Sequence, residues 1–452
     1  MGRDGVCLSL PWRDVDAVIA AWGRLPWLAC LDSGGEVGAR ARWVIICRDP
    51  VHVVIQRMGR CWRDGVPVGH DLLAALRDSL PAGVCPADVP FAAGAVGFAG
   101  YGVGLRMAGI ASRHADDPAL PEAAFGIYDH AFVLDRLNGR AWLAAHDSTA
   151  MPPGRIARLV AQWEAVGHAG KIPALPGLSF TPDHDGVAYR AGVARAVERI
   201  AAGEVFQVNM TGRMYAPRPS GLSPVDVYRA LRAGSPAPFG AFLSGDGSFA
   251  LLSASPERFV ALGPDGVVRT RPIKGTAPRG RTAEEDARLA HHLRHDAKER
   301  AENLMIVDLM RNDIGRVARI GSVGVPELFG VERFAHVLHL VSEVTGRLRA
   351  GCDAFDLLAA TLPPGSVTGA PKHRAMQIID ELEASSRGAY CGTVAWIGCD
   401  GAMDSSVIIR ALSMTPDRMT AAAGGGITSD SDPMREYHEM RLKIAALLDI
   451  FQ

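Results

Sequence analysis

No run of roughly 18 uncharged apolar residues occurs in this 452-residue chain, so no membrane-spanning helix is expected. An excess of one charge is also missing: 48 Lys and Arg stand against 49 Asp and Glu, for a formal net charge of −1. That balance offers no global basic field for nucleic acid and no acidic tail. A few local cations would still suffice for a small anion. Cysteine is scarce: there are eight, none spaced as C-x-x-C, which argues against a disulfide framework and for a reducing compartment. The N-terminal MGRDGVCLSLPWRD lacks a long apolar stretch, so no signal peptide is read and the cytoplasm is the expected location. No repeat of roughly 20–50 residues and no low-complexity tract is found.

What is present is an ordinary globular composition, 48% apolar and 21% charged. The length allows about two to four domains. Pro152-Pro153, Pro173, Pro176 and Pro182 surround one short helix near 155–166. This stretch reads as a linker, 151–183, between an N-terminal domain, 1–150, and a C-terminal domain, 184–452.

Local patterns predict strands in 42–55 around a turn at Arg48-Asp49-Pro50, a helix at 71–78, and close backbone packing in the Gly- and Ala-rich 91–101. Two strands at 128–146 join at Leu137-Asn138-Gly139. A helix is predicted at 186–201, where Tyr189, Val193, Val197 and Ile200 recur at helical spacing and Gly203 stands where a C-terminal cap belongs. Further strands are read at 240–243, 249–254, 257–262 and 267–270. A charged stretch at 283–300 leads into a long helix ending near 311. Another helix spans 371–383, strands follow at 391–398, 404–413 and 418–424, and a last helix covers 433–450. Strands in runs between helices favour an α+β class.

Several clusters could carry chemistry. Lys274, in Arg-Pro-Ile-Lys-Gly-Thr, follows an apolar strand and precedes a glycine. Partial desolvation there would lower the amine's pKa and free a nucleophile; the plain alternative is a surface lysine at a strand end. The full G-x-x-x-x-G-K-[ST] spacing is absent, which argues against a nucleoside triphosphatase. Glu257, after the apolar run Phe249 to Leu252, would be a general acid if burial raised its pKa, or else a turn carboxylate paired with Arg258. Glu302 sits among Leu304, Met305, Ile306, Val307 and Leu309 and needs a partner, either a hard cation or a neighbouring Lys298 or Arg300. Glu436 and Glu439, three apart, share a helix face and could reach one ion, or Glu439 could pair with Lys443. Gly424, Gly425 and Gly426 would let backbone N–H groups approach an anion, or form a flexible loop. His336 and His339 have the spacing of a helical metal pair but no completing ligand, and His291, His292 and His295 lie in a charged, solvated helix.

Read together, LLSASPERF, RPIKGTAPRG, AENLMIVDLMRNDIGRVA, HVLHLVSEVTG, PPGSVTGAPKHRAM, YCGTV, DSSVIIRAL and AAGGGITSDSDPMREYHE resemble the chorismate-utilising enzymes, in family order over about 186–450. LPW near residue 10 and LDSGG at 31–35 resemble the component I members more weakly. Two positions sort the branches. Lys274 in PIKGT resembles the aminodeoxychorismate branch, where that lysine is a covalent nucleophile, rather than the PIAGT or PLAGS of anthranilate and isochorismate synthases. Gln207 stands where isochorismate and salicylate synthases carry a water-activating lysine, so water addition is disfavoured.

The resemblance implies two β-sheets packed as a sandwich with outer helices. It also implies a magnesium ion held by Glu302 and Glu439 with Glu436 nearby, Lys274 as nucleophile, Glu257 as acid, and His339 at the substrate ring. Arg410, Lys443 and the backbone of Gly424 to Gly426 would hold the enolpyruvyl carboxylate, with Tyr390 and Thr276 lining the site. The implied reaction is amination of chorismate at carbon 4. No G-x-C-x-G glutaminase loop is seen, so ammonia is expected from solution or from a glutamine amidotransferase subunit, component II. LDSGG is similar to the tryptophan-binding segment of some aminodeoxychorismate synthases, which makes tryptophan a candidate ligand of the N-terminal region. The rival readings are anthranilate synthase component I and a non-catalytic tryptophan-binding paralogue.

Overall fold

The computed structural model describes residues 5–38, 40–146, 151–334 and 337–452. Within them, two twelve-stranded sheets are joined by antiparallel pairings throughout. The first sheet runs from Val6–Leu10 at one edge through Trp43–Cys47, Ala29–Asp32, Phe239–Ser244, Ala250–Ser255, Ala411–Met414 and Arg418–Ile427 to Gln207–Pro217. The second runs from Ile273–Pro278 through Val337–Arg347, Arg258–Leu262, Met403–Val407, Thr393–Gly398 and Gly94–Ala99 towards Val66–Gly69. Both sheets combine strands from either side of 151–183. Leu31 pairs with Ala241 in the first, and Val96 with Trp396 in the second. This is the expected α+β sandwich with outer helices.

The two sheets bury a common core. Ile45, Val133, Leu243 and Leu251 of the first share one apolar cluster with Val96, Phe98, Ala124 and Val394 of the second. Gly94–Ala99 is buried on both faces, with Val96 and Phe98 turned one way and Ala95 and Ala99 the other, as strand periodicity requires. Close packing also explains its small residues: a Cβ on Gly97 would lie 2.1 Å from the Ala124 carbonyl oxygen.

The chain passes from one sheet to the other several times, and three of these crossings are the following. Trp43–Cys47 lies in the first sheet and His52–Arg57 in the second, with Asp49 between them at φ 53°. Ala250–Ser255 and Arg258–Leu262 are separated only by Pro256 and Glu257. Met403–Val407 returns to the first sheet as Ala411–Met414, with Arg410 at φ 49°. The single strand expected at 404–413 is therefore two strands in different sheets. A left-handed residue cannot continue an extended strand.

Most helices fall where periodicity places them. Gly186–Ala201 has the predicted bounds, with Gly203 at φ 79° just beyond. The stretch from 283 onward is corrected from one long helix to two, Ala283–His295 and Ala297–Gly315. Asp296 ends the first, and its side chain caps the second by accepting from the Glu299 N–H. Strands Gln207–Pro217, Ile273–Pro278, Gly324–Arg333 and Val337–Arg347 were not anticipated. Among the described residues no helix is long and apolar enough to cross a membrane.

A buried ion pair ties three segments behind the site. Arg387 and Glu383, at 1% and 4% side-chain exposure, meet at 2.6 Å. Arg387 also donates to the carbonyls of Val367 and Asn209, and Glu383 accepts from the Thr211 N–H and hydroxyl. Removing one partner would leave the other charge buried and uncompensated. Arg387→Leu should therefore lower unfolding stability by about 3–5 kcal/mol in urea titration, whereas a loss under about 1 kcal/mol would deny the pair this role.

Candidate active site

The second and third crossings run side by side. The Val407 N–H donates to the Glu257 carbonyl at 3.1 Å, and the Ala254 N–H donates to the Arg410 carbonyl at 3.0 Å. Sequence-distant Glu257 and Arg410 are thereby held together at the seam between the sheets. Glu257 is nearly buried, 9% exposed. Burial pushes its carboxyl up to about 7, against the opposing pull of the Ser366 hydroxyl and the Lys274 charge. Ser366 sits in the loop after helix Ala354–Thr361. Lys372 anchors that loop by donating to Asp313 at 2.5 Å and to the carbonyls of Thr361 and Pro363 at 2.6 and 2.8 Å.

Lys274 follows the strand Val267–Thr270, as expected, and itself lies inside a further, edge strand, Ile273–Pro278. Ile273 pairs with Val341 and Thr276 with His339, so Lys274 and Gly275 together oppose Leu340 alone. Gly275 takes φ 86° in this bulge. An extra residue bends the strand and re-aims its side chains, and a glycine meets the positive φ without strain. The Lys274 Nζ lies 3.9 Å from Glu302 Oε2, both side chains being mostly buried.

His339 is placed by the same pairing. Its Nδ1 is 2.9 Å from the Thr276 hydroxyl. Burial lowers its pKa, and the Arg410 charge adds to this, so the imidazole is neutral near pH 7. It stands on a strand, which removes the helical histidine pair considered from spacing; His336 lies outside the described residues. His291 and His295 stack on each other at 4.1 Å on an exposed helix face, as a solvated cluster would.

Gly424, Gly425 and Gly426 belong to strand Arg418–Ile427 rather than to a loop. They pair with Thr211, Met210 and Asn209. A Cβ on Gly426 would sit 2.6 Å from the Gln207 Nε2 and 3.4 Å from the Lys274 Nζ. Glycine here keeps open the gap between a buried amide and the amine. Neither polar atom of the Gln207 side chain has a hydrogen-bond partner, although the residue is 1% exposed. Lys443 donates to the Gly424 carbonyl at 3.0 Å and pairs with Glu439 at 2.7 Å. Tyr390 lines a neighbouring pocket with Arg387, Ile408 and Ala422, and burial raises its hydroxyl pKa.

The carboxylates come from two helices. Glu302 is on Ala297–Gly315, and Glu436 and Glu439 are on Pro433–Leu448. Among the described residues no three or more His, Cys, Asp or Glu side chains converge on one point. Glu299, not picked out from sequence, joins them, and so does Lys298, one of the partners weighed for Glu302. Glu299 is raised in pKa by burial and then by Glu302, and Lys298 lies 4.0 Å from Glu302 Oε1. Glu299 precedes Glu302 by three positions on one helix, the same spacing signal that marked Glu436 and Glu439. Glu436 is likewise raised by burial, with Glu439 adding to it against the Ser431 hydrogen bond of 2.7 Å. Half-buried Glu299, Glu302 and Glu436, with exposed Glu439, offer hard oxygen donors on two helices. That chemistry fits a magnesium ion.

Fold and site together define an α+β enzyme whose reactive groups hang from a seam between two antiparallel sheets. The chain belongs to the chorismate binding enzyme family, which it matches over residues 38–449. It is 38% identical over 464 residues to the aminodeoxychorismate synthase component 1 of Klebsiella aerogenes, covering 98% of each chain. It is also 40% identical over 400 residues to the anthranilate synthase component 1 of Streptomyces coelicolor, covering 84% of this chain and 78% of that one. The crystal structure of anthranilate synthase component I from Streptococcus pneumoniae matches with a TM-score of 0.81 at 32% identity, over 91% of this chain and 93% of that one. The chain is thus a chorismate-utilising enzyme, and similar identities to two branches leave the choice between them to individual site residues.

Glu257 makes a pH prediction. A carboxyl raised from 4.5 to about 7 favours the folded state fully below its ordinary pKa. That contribution is lost as pH rises through the interval, by about 3 kcal/mol for a shift of this size. Glu257→Gln should therefore gain on the wild type by about that amount between pH 4.5 and 8 in urea unfolding. A difference that stays constant with pH would contradict the assignment.

Proposed function

We propose that this enzyme aminates chorismate at carbon 4, giving 4-amino-4-deoxychorismate with the enolpyruvyl group retained, on the route to 4-aminobenzoate and folate. The observation that carries the reading is the Lys274 amine, turned by its bulge to within 3.9 Å of Glu302 and within electrostatic reach of a protonatable Glu257. An amine beside a carboxyl that holds its proton near neutral pH is suited to adding a nucleophile while a hydroxyl leaves.

Lys274, as the free amine, attacks carbon 2 of the ring, both ring double bonds shift, the carbon 4–oxygen bond breaks, and the adduct nitrogen is left as a secondary ammonium. Glu257 gives its proton to the departing oxygen, which leaves as water. Ammonia then adds at carbon 4, both double bonds shift back and Lys274 is expelled as the free amine. The carboxylate of Glu257 takes up the proton that ammonia loses. His339, neutral and oriented by Thr276, contacts the ring region. Arg410, Lys443 and the backbone of Gly424, Gly425 and Gly426 hold the enolpyruvyl carboxylate, with Tyr390 lining a neighbouring pocket. Glu302, Glu439 and Glu436, joined by Glu299, would hold a magnesium ion whose charge offsets repulsion between the other substrate carboxylate and this acidic wall.

The words "component 1" in the relatives' names support a partner, a glutamine amidotransferase subunit that delivers ammonia. Tryptophan has a candidate place between the sheets, in a pocket lined by Ser33, Arg40, Trp43, Phe239 and Trp396. Its only nearby Asp of the LDSGG segment, Asp32, already holds Arg232 at 2.5 Å and Tyr228 at 3.3 Å, so an amino-acid ammonium would have to share it.

The deciding experiment is mass spectrometry of the products from chorismate, magnesium and ammonium. Aminodeoxychorismate without pyruvate is expected; anthranilate with pyruvate would transfer the chain to the other branch despite Lys274. Lys274→Ala should lose amination by more than about a thousandfold while chorismate binding stays near wild type, because a nucleophile acts in the chemical step. Unchanged turnover would remove Lys274 from the mechanism. Glu302→Ala should sharply raise the magnesium concentration needed for half-maximal turnover, and an unaltered magnesium titration would refute that ligand.

A further inference from the structure

Lys298 occupies an odd position for a lysine. It is the second residue of helix Ala297–Gly315, where the helix dipole disfavours a cation, and it precedes Glu302 by four residues, the weaker order for a helical ion pair. Helix stability therefore does not account for it. What it faces does. Its Nζ lies 4.0 Å from Glu302 Oε1, on the opposite carboxylate oxygen from the one Lys274 approaches at 3.9 Å. Its charge also acts on Glu299 and, on helix Pro433–Leu448, on Glu436. One ammonium thus serves carboxylates from both helices. Yet it makes no close hydrogen bond to Glu302, and its side chain is 64% exposed, so little holds it in place.

We propose that Lys298 is a resident, displaceable counter-ion. Its ammonium stands 4.0 Å from the Glu302 carboxylate and acts through space on Glu436 in the metal-free enzyme, and swings to solvent when a divalent ion takes these carboxylates. This rests on reading Glu302 and Glu436 as metal ligands. The consequence is that the protein competes with its own metal. Binding must displace one positive charge, which weakens affinity for free magnesium and leaves the acidic wall intact while no ion is bound.

The test is calorimetric titration of magnesium chloride into metal-free protein without substrate. Lys298→Met should bind magnesium about fivefold more tightly than wild type, the effect expected when one lysine–carboxylate attraction across 4.0 Å in largely aqueous surroundings no longer has to be broken. Its metal-free melting temperature should fall while its magnesium-saturated one does not, and Lys298→Arg should behave as wild type. Equal or weaker magnesium binding by Lys298→Met would overturn the proposal. Glu302→Gln separates the two ideas. If it leaves magnesium affinity unchanged, the ligand assignment fails and this proposal with it. If it weakens binding while Lys298→Met does not strengthen it, only the role of Lys298 fails.

Discussion

The site depends on two adjacent crossings between the sheets. Because Ala250–Ser255 and Arg258–Leu262 lie in different sheets, the chain must turn at Pro256-Glu257, and because Met403–Val407 and Ala411–Met414 do likewise, it must turn again at Arg410. Backbone hydrogen bonds lock the two turns to each other. At such a seam a side chain can be nearly buried without belonging to the apolar core. That explains why Glu257 is desolvated enough to hold a proton near neutrality while the charge of Arg410 acts on neighbouring His339.

Around that seam the electrostatics are a contest between too many carboxylates and a few lysines. Glu299 and Glu436 are raised in pKa by burial and by neighbours of like charge. Lys274, Lys298 and Lys443 each lie within 4.0 Å of a carboxylate oxygen on the two helices. None of these arrangements is a deeply buried, fully hydrogen-bonded pair like Glu383–Arg387, which is part of the scaffold. The lysine contacts are partly exposed, which is what the proposed exchange of counter-ions for metal and substrate would use.

Much of the fold was legible from local pattern. Gly186–Ala201 announced itself through its apolar spacing, and Ala250–Ser255, Val267–Thr270 and Thr393–Gly398 through short apolar runs. The strands that were missed, such as Gln207–Pro217 and Ile273–Pro278, carry polar residues and glycines that break the apolar pattern, although the first is mostly buried and gives Val208 and Met210 to the core. The glycine triplet read as a candidate loop because nothing local shows that Gln207 and Lys274 will close upon Gly426.

Sequence alone determined which candidate groups are present, an amine at Lys274 and carboxyls at Glu257, Glu302, Glu436 and Glu439, and supplied a motif order that places the chain in its family. Local pattern encodes which residue types are present and which face of a helix or strand is apolar. What only the tertiary structure decided is how those groups meet. The bulge that aims Lys274, the break at Arg410 and the closure of Gln207 on Gly426 all depend on what packs opposite. The contacts that fix them join residues far apart in the chain, such as Glu257 with Val407 and Ala254 with Arg410, and no periodicity within one segment can carry that information.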